Sequence, residues 1–130
     1  MENILDKAKQ WLSDTFDAET QQEIQQLITA NSDDLVDRFY KDLEFGTGGM
    51  RGMMGAGTNR INKYTLGKAT QGLSNYLKKS YPNQEIKVAI AYDCRHNSVA
   101  FSQLVADVLS TTSVLWFLKT YDLLQNYRLL

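Results

Sequence analysis

The chain has 130 residues, enough for one ordinary domain and too few for a second full one. Hydrophobic residues make up 43% and charged residues 22%, which supplies a core and argues against wholesale disorder. Fourteen basic against fifteen acidic residues leave a formal net charge of -1, so the charge balance gives no reason to expect nucleic acid or an anionic membrane as partner.

The lone Cys94 allows no internal disulfide, and a single His96 without cysteine companions argues against a Cys/His zinc site. The start, Met1-Glu-Asn-Ile-Leu-Asp-Lys7, lacks the basic end and apolar run of a secretory signal. No run of about 18 apolar residues is present, so no membrane span is expected. A soluble, cytoplasmic protein is the reading.

Ile4, Leu5, Ala8, Trp11 and Leu12 recur at helical spacing, and Ile24, Leu27 and Ile28 do so after a polar break from Asp14 to Thr20. Ser32 or Asp33 is placed to cap a third helix carrying Leu35, Val36 and Phe39, with Tyr40 at the edge of its face. Residues 1–42 are thus expected as a helical segment without catalytic residues.

From Leu43 the texture changes, because Gly46, Gly48, Gly49, Gly52, Gly55 and Gly57 place six of the eight glycines within twelve residues. Helix does not survive that density, so Phe45 to Ala56 reads as a loop between short extended pieces, in hairpin form. Asn62 is expected to cap a helix from Lys63 to about Ser80. Leu66, Ala69, Leu73, Tyr76 and Leu77 would form its apolar face, and Pro82 would stop it. Ile86 to Tyr92 has the pattern of a strand buried on both sides, Asp93 to Asn97 a loop, and Ser98 onward a helix with Phe101, Leu104, Val105, Val108 and Leu109. Helix, strand, loop and helix in that order make part of a doubly wound sheet, so the expected class is α/β, an incomplete three-layer α/β/α domain with N-terminal helices.

Two segments carry residues suited to chemistry. In Gly46-Thr-Gly-Gly-Met-Arg-Gly-Met-Met-Gly-Ala-Gly57, glycines expose backbone N–H groups, Thr47 adds a hydroxyl, and the planar fork of Arg51 suits two phosphate oxygens. The alternative is a tight turn whose arginine pairs with a structural carboxylate. No Gly-Lys-Ser/Thr closes the loop, so it is not a P-loop. In Asp93-Cys-Arg-His-Asn-Ser98, placed where the strand ends, Arg95 could bind an anion and His96 could move a proton or donate to a phosphate. Asn97 and Ser98 are read as helix caps, Cys94 as a small buried filler, and Met50, Met53 and Met54 as packing.

Taken together and in this order, Phe45-Gly-Thr-Gly-Gly-Met-Arg-Gly52 and Tyr92-Asp-Cys-Arg-His-Asn-Ser98 resemble the α-D-phosphohexomutases, in the phosphoglucomutase/phosphomannomutase branch that includes phosphopentomutase-like members. The resemblance runs from about Asp37 to Ser110, the N-terminal part of that family's domain I. Cys94 departs from the small hydroxyl residue usual there. The resemblance implies an enzyme that moves phosphate between positions of a phosphosugar, using a phosphoserine, Mg2+ and a sugar-bisphosphate intermediate. It places Thr47, Gly48 and Arg51 on the active-site floor, with Arg95 and His96 approaching from the next strand end as phosphate-binding groups that stabilise transferring charge.

The family's phosphoserine loop and Asp-rich magnesium loop do not occur in these 130 residues, so no catalytic nucleophile or metal ligand is expected among them, and the chain alone is expected to be inactive. A non-catalytic phosphosugar-binding or protein-interaction module is the alternative. Residues 43–110 would form a partial domain I, and residues 111–130 a divergent tail. One permitted back-translation of Trp116 to Leu129, read from the third base, gives Val-Phe-Lys-Asp-Leu-Arg-Pro-Thr-Pro-Glu-Leu-Ser-Phe, similar to the family's next strand and its Arg-Pro-Thr-Pro motif. In that frame Tyr121 before Asp122 permits only Arg or a stop, and Asn126 before Tyr127 only Leu. A frameshifted tail is the expectation and a short homologue with a divergent C-terminal helix the alternative. The Ile86–Tyr92 strand, lacking its family neighbour, would then expose an edge and lower solubility.

Overall fold

The computed structural model describes residues 3–112 and 114–120. The chain divides between Thr65 and Leu66 into two compact units, and the glycine-rich segment falls in the same unit as the N-terminal helices.

In the first unit, α1 (Ile4–Gln10), α2 (Ala18–Thr29) and α3 (Asp33–Phe39) are each started by a side chain that accepts a backbone N–H: Asn3, Asp17 and Ser32. Their apolar stripes meet in a core of Ala8, Trp11, Ile24, Leu35, Phe39 and Ala56. Trp11 stacks on Phe16 at 4.5 Å between ring centroids and meets Phe39 and Tyr64 edge-on at 5.7 Å. Val36 and Tyr40, expected on the buried face of α3 and at its edge, are exposed, because Leu35 and Phe39 alone point into this core.

The hairpin expectation holds: β1 (Phe45–Gly46) and β2 (Gly49–Met50) pair antiparallel around Thr47 and Gly48. Beyond it, the chain returns along α3. Arg38 Nη1 donates to the Ala56 carbonyl at 2.9 Å, and the Arg38 carbonyl accepts from Asn59 N at 2.9 Å. Gly57 is required there: its φ is +126°, and a Cβ on it would stand 2.9 Å from the Arg38 carbonyl oxygen. Asn62 caps α4 (Lys63–Ser80) as expected, its Oδ1 accepting from the Tyr64 and Thr65 amides.

In the second unit, β3 (Lys87–Tyr92), α5 (Ser98–Ser110) and β4 (Leu115–Thr120) form a βαβ turn, with β3 and β4 parallel and in register from Lys87 opposite Leu115 to Tyr92 opposite Thr120. Ile90, Ala106, Leu109 and Val114 make its core. Several expectations are corrected by this unit. β3 has a neighbour, and residues 115–120 are strand, which counts against the alternative of a C-terminal helix; residues 121–130 of the expected divergent tail lie outside the described residues. β3 is covered on one face, where Val88, Ile90 and Tyr92 turn inward, while Lys87, Ala89 and Ala91 are exposed. The α5 helix packs on that strand pair from one side, so the alternation of a one-sided sheet results. On α4 the buried positions are Thr70 and Ser74, whereas Leu73 and Tyr76 are exposed. Thr70 satisfies its hydroxyl on the Leu66 carbonyl at 2.9 Å.

Candidate functional site

The β1–β2 hairpin forms one wall of a cavity of about 400 Å³ whose lining includes Gly46, Thr47, Gly48, Gly49 and Arg51. Thr47 and Gly48 occupy the tip. Gly49 takes a φ of +109°, which only glycine adopts without strain and which turns the chain back into β2. Arg51 comes directly after β2, and a Cβ built on Gly48 would lie 3.3 Å from one of its terminal guanidinium nitrogens, so the guanidinium lies across the turn. Among the described residues no hydrogen bond or ion pair joins Arg51 to a carboxylate. The turn-with-structural-pair alternative therefore loses its partner, and the fork is left facing solvent at the cavity.

The scaffold behind the hairpin uses its arginines differently. Arg38 is bound by Glu23 at 2.5 Å and Asp34 at 2.6 Å, and the buried Arg60 by Asp34 at 2.9 Å and Asp37 at 2.7 Å. The Arg38 guanidinium holds the Asp34 carboxyl below its usual range despite desolvation. Burial alone would lower the Arg38 pKa, yet Asp34 and Glu23 together raise it. These five side chains anchor the segment from Gly55 to Arg60, which reaches the cavity through Asn59.

Arg95 and His96 stand in the second unit on the loop after β3. Asp93 organises that loop: its carboxylate accepts from the Arg95 amide at 3.0 Å and from Arg95 Nε at 2.7 Å, and its own amide donates to Ser98 Oγ at 3.0 Å. The Arg95 amide chiefly, and then its guanidinium, holds the Asp93 carboxyl below the ordinary range. Arg95 is 83% exposed. The capping role expected of Asn97 is corrected: it sits in the left-handed region at φ +63° and makes no side-chain cap, while Ser98 ties the loop instead. Cys94 is exposed rather than buried, as are Met53 and Met54, because both glycine-rich and post-strand segments run along the surface.

Sequence reasoning missed Lys41 and Asn59, which also line the cavity. Neither lies within a glycine motif. No sequence signal announces them, because the contacts of Arg38 with Ala56 and Asn59 that return the chain are visible only in the structure. For magnesium, implied by the resemblance, the described residues offer no fit: no three of their His, Cys, Asp or Glu side chains converge, and Glu23, Asp34 and Asp37 are occupied by arginines. No helix among the described residues is long and apolar enough to cross a membrane.

Residues 42–119 match the family model described as phosphoglucomutase/phosphomannomutase, alpha/beta/alpha domain I, which extends past Ser110 through most of β4. The chain is similar to a phosphoglucomutase of Staphylococcus aureus, 42% identical over 82 residues, covering 63% of this chain and 14% of that protein. A phosphoglucomutase of Staphylococcus haemolyticus is 38% identical over 76 residues, covering 58% and 14%, and one of Staphylococcus epidermidis 40% identical over 72 residues, covering 55% and 13%. The chain thus spans about one seventh of the length of the curated relatives it matches. No solved structure matches it.

Proposed function

The chain belongs to the phosphoglucomutase/phosphomannomutase family, and on that premise we propose that its hairpin cavity holds the phosphate of a phosphosugar during intramolecular phosphoryl transfer. The observation that carries this reading is the Arg51 guanidinium, without a carboxylate partner among the described residues, lying across Gly48 in the cavity that Thr47 also lines. A planar fork with no carboxylate of its own is available for two oxygens of one phosphoryl group. Its part is electrostatic: fixed donors stabilise charge that develops on the group and hold its line of attack. In the second unit, Arg95 and His96 on the loop after β3 would be further phosphate-binding groups, Arg95 exchanging its hold on Asp93 for an anion.

Positioning groups without a phosphoryl donor bind but do not turn over, so the 130-residue chain alone is a binder and not a working mutase. Titration with glucose 6-phosphate, followed through the Gly48 and Gly49 amide resonances, should give a dissociation constant on the order of millimolar that is lost in Arg51→Ala. An assay supplied with Mg2+ and glucose 1,6-bisphosphate should show no conversion of glucose 1-phosphate. Turnover would overturn the inactive reading, and micromolar binding that depends on Arg51 would favour the non-catalytic phosphosugar-binding module.

A further inference from the structure

We propose that Lys41 is a specificity-determining residue of the hairpin cavity, the second cation that makes it prefer a phosphomonoester dianion to a monoanion. The inference rests on the reading of Gly46 to Arg51 as a phosphate site and adds a residue outside that motif. The charged residues lining the cavity are Lys41, Glu44 and Arg51. Two positive groups and one negative leave the wall with a single positive charge, so its attraction scales with the charge of the bound anion. Without Lys41 the sum is zero, and the second ligand charge gains nothing.

The geometry suits the role. The main chain at Lys41 is pinned, since Thr58 Oγ1 donates to the Lys41 carbonyl at 2.8 Å and Leu43 N donates to the Thr58 carbonyl at 2.8 Å. The side chain is not: among the described residues its ammonium meets only the Tyr40 ring, 5.4 Å from the centroid, a contact that leaves its N–H donors unused. The acid nearest on α3, Asp37, is held by Arg60 at 2.7 Å. Asn59, the other lining residue outside the glycine motif, is by contrast occupied, its Nδ2 donating to the Asp37 carbonyl at 2.8 Å. A fixed main chain carrying an uncommitted ammonium on a flexible stem lets the cation turn to an anion in the cavity it lines.

The test titrates the full chain at pH 8 with methyl phosphate, a dianion there because its second pKa is about 6, and with methyl sulfate, a monoanion, reading the Gly48 and Gly49 amides. Wild type should bind methyl phosphate about fivefold tighter than methyl sulfate, Lys41→Met should bring the ratio close to one, and Lys41→Arg should restore it. Arg51→Ala should weaken both probes. If Arg51→Ala weakens both and Lys41→Met leaves the ratio unchanged, the role of Lys41 is overturned while the phosphate reading stands. If neither probe shifts the amides, or Arg51→Ala changes nothing, the phosphate reading fails and the proposal with it. A wild-type-like amide spectrum of Lys41→Met establishes that the variant is folded.

Discussion

Three arginines lie within the first unit, and their surroundings divide them. Arg38 and Arg60 are withdrawn from water and share Glu23, Asp34 and Asp37. Arg51 is exposed and has no carboxylate among the described residues. A buried guanidinium needs opposite charge and partners for most of its donors, so the scaffold pair is dictated by folding. An exposed one costs folding nothing, and its place across Gly48 is left to be explained by a ligand. The difference separates the part of this unit that makes the fold from the part that the fold presents.

The sharpest way to break that division is Arg60→Ala. It strands Asp37, while Asp34 keeps Arg38 at 2.6 Å, and the two side chains are 57% and 41% exposed, so water recovers part of the loss and the cost should be about 2–3 kcal/mol rather than the upper range for a fully buried pair. The unpartnered Arg60 Nε already weakens the wild-type arrangement, which also keeps the cost below that range. Urea denaturation of wild type and variant measures it; a change within about 0.5 kcal/mol, the ordinary scatter of surface substitutions, would mean that Arg60 is as dispensable to folding as Arg51.

A smaller effect sharpens the same contrast by pH. Asp17 caps α2 and accepts from Lys63 Nζ at 2.8 Å and Tyr64 Oη at 2.5 Å, and these donors, Lys63 foremost, push its carboxyl well below the usual range against a smaller desolvation penalty. The folded value lies below the unfolded one, so the stabilisation is complete above about pH 4 and is lost as the pH falls through the folded pKa. Lys63 is raised above 10.5 by the same pair, so its share is complete below that value and is lost as the pH rises through the higher folded one. Asp17→Asn keeps a capping oxygen and removes only the charge. With Lys63 half-exposed, it should cost about 1 kcal/mol near neutrality. Melting temperatures of the two proteins should differ at about pH 6 and converge toward about pH 2; a constant gap would show that the charge is not what Asp17 contributes.

Helix starts and the hairpin were legible in the sequence because they depend on neighbours in the chain: Asn62 before an apolar run, or six glycines in close order. What depends on distant partners was not. The buried stripe of α4 runs through Thr70 and Ser74, which hydropathy ranks below Leu73 and Tyr76. The β4 strand carries a Leu/Trp/Phe pattern too short to separate from helix, and only its pairing with β3 decides it. At the candidate site, Thr47, Gly48 and Arg51 could be read locally, whereas Lys41 and Asn59 arrive through the return of the chain along α3, a contact that no local pattern announces.

The smallest expected effect is the one that most tests the division. Arg51→Ala removes a full charge and a long side chain, yet it breaks no hydrogen bond or ion pair among the described residues, and the turn is held by Gly49 and the β1–β2 pairing rather than by the guanidinium. Stability should therefore change by less than about 0.5 kcal/mol, while affinity for glucose 6-phosphate falls at least about tenfold, as expected for loss of a bidentate charge-assisted contact. Urea denaturation and the amide titration on the same preparation measure the two quantities together. If stability fell by the roughly 2–3 kcal/mol expected of Arg60→Ala, Arg51 would be a third scaffold arginine, and its position across Gly48 would need no ligand to account for it.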